Sequence, residues 1–255
     1  MSKYLFLLIV TVLFISSCSL SGNKDIRKPI ADGLTPKALY AKAEDKLDSG
    51  AVDQAIDQFK VLLQAYPGSK YAIQARLDIA YNLYKSKKYN QAISQLDLFI
   101  KKYPSINSSP YAYYLRGVIA EEKSVSILDK IVTNSAQRDV QSVRDAYSYF
   151  VLLIEKYPNS KYSEEALIKL IKLKNILARH EFYVAIYYTK KGSNIGAINR
   201  SKYIIENFPN TTLIADSLHL MALNYDAIGA DELASSARKI LNSNFPSYSP
   251  KYSLK

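Results

Sequence analysis

The chain has 255 residues, 48% of them hydrophobic, with one cysteine, two histidines, no tryptophan and a formal charge of +11. One cysteine excludes a disulfide framework, and with only His180 and His219 beside it no cysteine–histidine metal constellation can form. Nucleophile-elbow, dinucleotide-fingerprint and Walker sequences are absent, and the neighbouring acids of Glu121–Glu122 and Glu164–Glu165 point apart on a helix, so neither an enzyme nor a cofactor-binding protein is expected.

The chain starts with one positive charge, Lys3, and continues as an apolar run from Tyr4 to Ile15, followed by Ser16-Ser17-Cys18. A helix needs roughly 20 apolar residues to cross a bilayer core, so this shorter run predicts an export leader over residues 1–17. Ile15-Ser16-Ser17-Cys18 resembles the bacterial lipobox, in which the cysteine is acylated and becomes the first residue. Cys18 is thereby the expected lipidation site, its covalent lipid the only non-protein group, and lipidation explains a lone cysteine in an exported chain. More than one acyl chain is needed for stable anchoring. Ser19, not aspartate, follows the cysteine, and in this resemblance that directs the protein to the outer membrane. Residues 18–34 are polar with glycine and proline, a tether spanning about 20–25 Å.

Beyond the tether a repeat dominates. Aromatic-proline pairs recur at Tyr66-Pro67, Tyr103-Pro104, Tyr157-Pro158, Phe208-Pro209 and Phe245-Pro246. Twelve residues before each proline stands Ala55, Ala92, Ala146, Ala197 or Ala234, and five before it Leu62, Phe99, Leu153, Ile204 or Leu241. These offsets share one face of a helix that ends at the aromatic residue. Gly50, Gly192 and Gly229, seventeen before their prolines, mark where a preceding helix stops and reverses. Ser69, Ser160 and Thr211 are expected to cap the next helices, and Thr35-Pro36 and Ser109-Pro110 give the same start signal. Ala43, Ala80, Ala185 and Ala222 are the matching small residues of the first helices. The unit of helix, glycine turn, helix and aromatic-proline follows the tetratricopeptide pattern. It predicts an all-α superhelix, an α-solenoid of five helical hairpins over residues 35–246, because one hairpin cannot bury its apolar face alone. Two central repeats carry insertions, a polar stretch around Thr133 to Arg144 and an extra helical segment from about Ser163 to Leu177. Residues 247–255 read as a flexible, frayed tail.

The stretch from Leu39 to Lys85 (LYAKAEDKLDSGAVDQAIDQFKVLLQAYPGSKYAIQARLDIAYNLYK), with YYLRG at 113–117, DAYSYFVLLIEKYPNSKY at 145–162 and the Tyr183–Arg200 region, resembles the BamD/ComL family of outer-membrane assembly lipoproteins. The segment 121–144 departs from it, lacking a proline after Arg138-Asp139. The resemblance implies a scaffold subunit of the machinery that folds β-barrel proteins into the outer membrane, lipid-anchored at its periplasmic face. It implies two functional halves. Residues 35–125 would recognise the C-terminal strands of unfolded β-barrel clients, and residues 145–246 would bind the BamA-type core subunit, with accessory lipoproteins as further partners. Tyr40, Tyr66, Tyr71, Tyr81 and Tyr84 are the candidate peptide-binding residues, since a phenol ring offers apolar area and a hydroxyl to an extended peptide. Tyrosine is also an ordinary packing residue of this repeat. Tyr66 leads the group, because the family places a client contact at the first aromatic-proline pair. Arg200 matches the family's contact to the core subunit, its planar fork being suited to a carboxylate.

Between Lys161 and Lys202 nine basic residues stand against three acidic ones, a patch for an acidic partner, for anionic headgroups, or simply a solvated face. Two competing readings remain at this level, a periplasmic adaptor for cell-wall or division proteins and a polyanion-binding competence lipoprotein. The second has no aromatic-interleaved basic motif, and nucleic acid is not an expected partner.

Overall fold

A computed structural model describes residues 33–128 and 140–254, without the side chains of 125–128. The leader, Cys18 and nearly all of the tether lie outside the described residues, as do residues 129–139 of the divergent insertion. The described residues are helical and contain no strand. In order the helices are α1 (Pro36–Asp48), α2 (Val52–Ala65), α3 (Lys70–Lys85), α4 (Tyr89–Lys102), α5 (Ser109–Leu128), α6 (Gln141–Lys156), α7 (Lys161–Lys190), α8 (Asn194–Asn207), α9 (Ile214–Ala227) and α10 (Asp231–Asn244). They fall into two compact units, one ending at Ala72 and one beginning at Ile73.

In the first unit α1 packs on α2. Thr35 caps α1 by accepting the Ala38 N–H at 3.3 Å, and Pro36 opens the helix where a missing N–H costs nothing. Gly50 turns the chain at φ +76°, a conformation in which a Cβ would clash with its own backbone. Ala43, Ala55, Phe59 and Leu62 are completely buried.

The second unit repeats this logic. Helices α5 and α6, α7 and α8, and α9 and α10 pack as pairs, and α4 on α5, α6 on α7 and α8 on α9 join one pair to the next. The first helices also touch directly, α5 with α7 and α7 with α9. All five signature alanines, Ala55, Ala92, Ala146, Ala197 and Ala234, are at 0% exposure, and of the large residues seven positions later only Leu241 reaches 5%. Burying each such large side chain is worth about 2 kcal/mol. Each aromatic before proline is the C-cap of its helix. The N–H groups of Tyr66, Tyr103, Tyr157, Phe208 and Phe245 donate to Leu62, Phe99, Leu153, Ile204 and Leu241 at 2.8–2.9 Å, and the proline then blocks continuation. Gly192 and Gly229 turn at φ +70° and +72° as expected. The second copy lacks the glycine, and Lys87 takes the same left-handed turn at φ +57°.

Several local expectations change. Thr211 caps no helix; its hydroxyl donates to the Phe208 carbonyl at 2.9 Å. Asn210 enters the left-handed region at φ +66°, and α9 begins only after Leu213. Ser109 is the first residue of α5 and not its cap. Its buried hydroxyl accepts the Ile106 N–H at 3.0 Å and donates to the Tyr103 carbonyl at 2.7 Å, holding the preceding turn. Ser163 does the same to the Tyr157 carbonyl at 2.6 Å. Ser69 and Ser160 cap as predicted, accepting the N–H groups of Ala72 and Tyr162 at 3.0 and 3.3 Å. The extra segment from Ser163 is no separate element, since α7 runs unbroken for 30 residues. The end of the polar insertion is already helix from Gln141. The tail is not frayed: Tyr252 and Leu254 pack against the main core.

The main core gathers Phe150, Leu153, Leu173, Phe182, Ile204 and Leu220 from α6, α7, α8 and α9. Gly117 of the YYLRG motif lets α5 approach it, since a Cβ there would stand 2.5 Å from the Phe150 ring. Arg116 of the same motif is 8% exposed; its Nη1 meets Asp97 at 2.6 Å, and its guanidinium lies 4.0 Å from the centre of the Tyr149 ring. One cation thus joins α4, α5 and α6.

Candidate functional site

The five candidate tyrosines divide between the two units. In the first, Tyr40 on α1 lies 5.5 Å from Phe59 and 5.6 Å from Tyr71, ring centre to ring centre. Tyr66 is half-buried, and its hydroxyl donates to the Leu34 carbonyl at 2.9 Å. That bond ties the start of the described chain to the end of α2. The hydroxyl is therefore already engaged.

In the second unit Tyr81 and Tyr84 meet edge-on at 6.2 Å, and Tyr84 lies 6.3 Å from Tyr89. The hydroxyls of Tyr84 and Tyr89 both donate to the Glu122 carboxylate, that of Tyr89 at 3.1 Å. Burial and the adjacent Glu122 push both phenols above the ordinary tyrosine value, so neither ionises near neutrality. Tyr81 is the open member at 41% exposure. Further along, Tyr162 stacks on Tyr114 at 5.2 Å and tilts against Tyr111 at 5.6 Å, with the Tyr114 hydroxyl donating to Glu165. Burial followed by Glu165 raises the Tyr114 phenol. Tyr89, Tyr111, Tyr114 and Tyr162 were not singled out from the sequence, and Glu122 was considered only as one of two neighbouring acids that point apart. Tyrosine abundance was the sole hint, and it does not say which rings adjoin.

Arg200 stands on α8 with its Nη1 2.8 Å from Glu181 Oε2, and Arg144 Nη2 reaches Oε1 of the same carboxylate at 2.7 Å. Glu181 is 1% exposed, while the arginine side chains are 44% and 37% exposed. A buried anion is thus flanked by two cations whose outer donors still face solvent, leaving the group one positive charge in excess. Beside Arg200 opens a cleft of about 320 Å³ lined by Tyr188, Gly196, Asn199 and Tyr203. Gly196 keeps it open, because a Cβ there would come within 3.1 Å of the Tyr188 ring. Such a site can accept a carboxylate without surrendering the internal pair.

The basic stretch is partly neutralised by its own fold. Lys169 and Lys172 pair with Glu121 at 2.9 and 3.3 Å, and Lys202 with Glu206 at 3.7 Å. No group of three or more histidine, cysteine, aspartate or glutamate side chains fit to hold a metal occurs among the described residues. No helix among them is long and apolar enough to cross a membrane.

Comparison with known proteins places the chain in a family. The family described as YfiO: Outer membrane lipoprotein matches residues 32–240. The outer membrane protein assembly factor BamD of Neisseria meningitidis is 34% identical over 245 residues, covering 96% of this chain and 92% of that protein. The BamD proteins of Haemophilus influenzae and Xylella fastidiosa are 33% and 31% identical over 243 residues each, covering 95% of this chain and 90% and 82% of their own lengths. Among solved structures, that of MamA protein is 15% identical and superimposes only loosely, with a TM-score of 0.34 over 86% of this chain and 97% of its own. The chain therefore belongs to the YfiO family of outer membrane lipoproteins.

Proposed function

We propose that this protein is an outer membrane protein assembly factor, a scaffold that holds other proteins and performs no catalysis. The observation that carries this reading is the family match over residues 32–240, with relatives named for that role aligned along nearly their whole length. The described surface suits such work, because paired helices stacked on a common core leave side chains on their outer faces for partners.

In finer detail, the chain is anchored by acyl groups on Cys18 at the periplasmic face of the outer membrane, with no other cofactor. Arg200 contacts a carboxylate of the BamA-type core subunit, accessory lipoproteins bind elsewhere, and the tyrosines contact C-terminal strands of unfolded β-barrel clients. Among those rings Tyr81 has the strongest support, being open to solvent, whereas Tyr66 and Tyr84 already spend their hydroxyls within the chain.

Affinity purification of the detergent-extracted full chain tests the proposal. A large β-barrel partner is expected in the eluate, and Arg200→Gln should lower its recovery about ten-fold, the cost of losing a close charge pair. Glutamine is preferred to glutamate, which would set a second acid against buried Glu181 and confuse binding with folding. Recovery of glycan-associated proteins without a β-barrel subunit refutes the assembly role. Undiminished recovery with Arg200→Gln refutes only the assignment of that residue.

A further inference from the structure

The last residues lie on the protein's own surface. From Ser247 to Leu254 the chain forms neither helix nor strand, with Pro250 in its middle favouring an extended backbone. The Tyr248 hydroxyl donates to Asp216 Oδ1 at 2.7 Å, and the Tyr252 hydroxyl lies 2.8 Å from His219 Nδ1. Both partner residues belong to α9. The Tyr252 ring stands edge-on to Phe182 of α7 at 5.1 Å, and the His219 ring lies 5.6 Å from Tyr248 and 5.9 Å from Tyr252. Phe182 is only 4% exposed. Burial lowers His219 below its ordinary pKa and raises that of Tyr252, consistent with a neutral, partly dry contact.

The register of these contacts is informative. A cap over the end of the array would need to cover only α10, yet Tyr252 is anchored one helix pair further back, on α7. The surface it uses is shared by α7 and α9, equivalent first helices of successive pairs, and repeat arrays present extended surfaces of this kind to partner segments. An extended chain offers Tyr248, Tyr252 and Leu254 in turn, the first two to polar partners over aromatic surface, the last to the main core. These are side-chain contacts that a second segment of similar composition can replace one for one.

We infer that the face of α7 and α9 around Phe182, Asp216 and His219 is a peptide-binding site for extended segments carrying two tyrosines four residues apart and a following apolar residue. Residues 248–254 of the chain itself occupy it, and a segment of the same chemistry from another protein enters by displacing that tail. The tail is an internal competitor that sets a threshold for the incoming ligand.

A fluorescein-labelled peptide of residues 246–254 probes the site by anisotropy. The full chain carrying Tyr248→Ala and Tyr252→Ala should bind it at least about ten-fold more tightly than the unaltered chain, since the site is no longer filled from within. Adding Phe182→Ala should abolish that gain, and a peptide with both tyrosines replaced by alanine should not bind. Equal affinity of the altered and unaltered chains, or indifference to Phe182→Ala with helix content preserved, overturns the inference. Should either variant lose helix content, hydrogen exchange on the unaltered chain decides. Excess unlabelled peptide must speed exchange at residues 248–254, and unchanged rates there overturn the proposal.

Discussion

The signature positions of the repeat and the junctions around α7 are built from different materials. Within each pair an alanine faces close approach and a large apolar residue seven positions on fills the core, with no charge involved. Around α7 ion pairs are added to the apolar contacts: Glu181 holds Arg144 of α6 and Arg200 of α8, and Glu121 of α5 takes Lys169 and Lys172. Apolar signature positions are nearly interchangeable among repeats, so they make helix pairs without saying which pair meets which. The charges supply that register. A slip of one turn along α7 would leave Glu181 buried without either arginine, at a cost of several kcal/mol. A 30-residue helix with neighbours on both sides needs such pins more than a short one does.

Removing Glu181 should break this arrangement most severely. Glu181→Ala leaves two facing arginines over a void, and a loss of about 3 kcal/mol is expected in urea unfolding. A loss no larger than that of an exposed glutamate would show that the ionic junction is ornamental. Gly117→Ala attacks the apolar side of the contrast by forcing a methyl group into the Phe150 ring, costing about 2 kcal/mol. A neutral outcome would mean that α5 and α6 can move apart freely. The smallest effect sharpens the comparison instead. Lys87→Gly introduces the turn residue that three other copies use at φ +70° to +76°, and should stabilise the protein by about 1 kcal/mol. Thermal melts with no upward shift would indicate that Lys87 gains from its side chain what it loses in backbone strain.

The helix pairs were legible because their signals are local. Gly50, Gly192 and Gly229 sit in left-handed turns, and every aromatic before proline closes its helix onto the residue four back. The candidate site was legible only as a set of residue types. Tyr81 and Tyr84 do adjoin, yet nothing nearby in sequence announces Glu122, 38 residues on, as the acceptor of the Tyr84 hydroxyl. Arg200 was marked by resemblance alone. Its neighbours Glu181 and Arg144 could be identified only after three helices had been brought together.

Periodicity, turn stereochemistry and the proline stops were enough to determine an all-α array of tetratricopeptide-type helix pairs, because each depends on atoms within a few residues of one another. The tertiary structure alone decided that Ser109 reaches back to Tyr103, that α7 is continuous, and that the tail lies on Phe182 and His219. Each of those depends on what a side chain finds opposite it once remote segments are packed. A polar or aromatic residue carries no local mark of whether it will meet water or a partner.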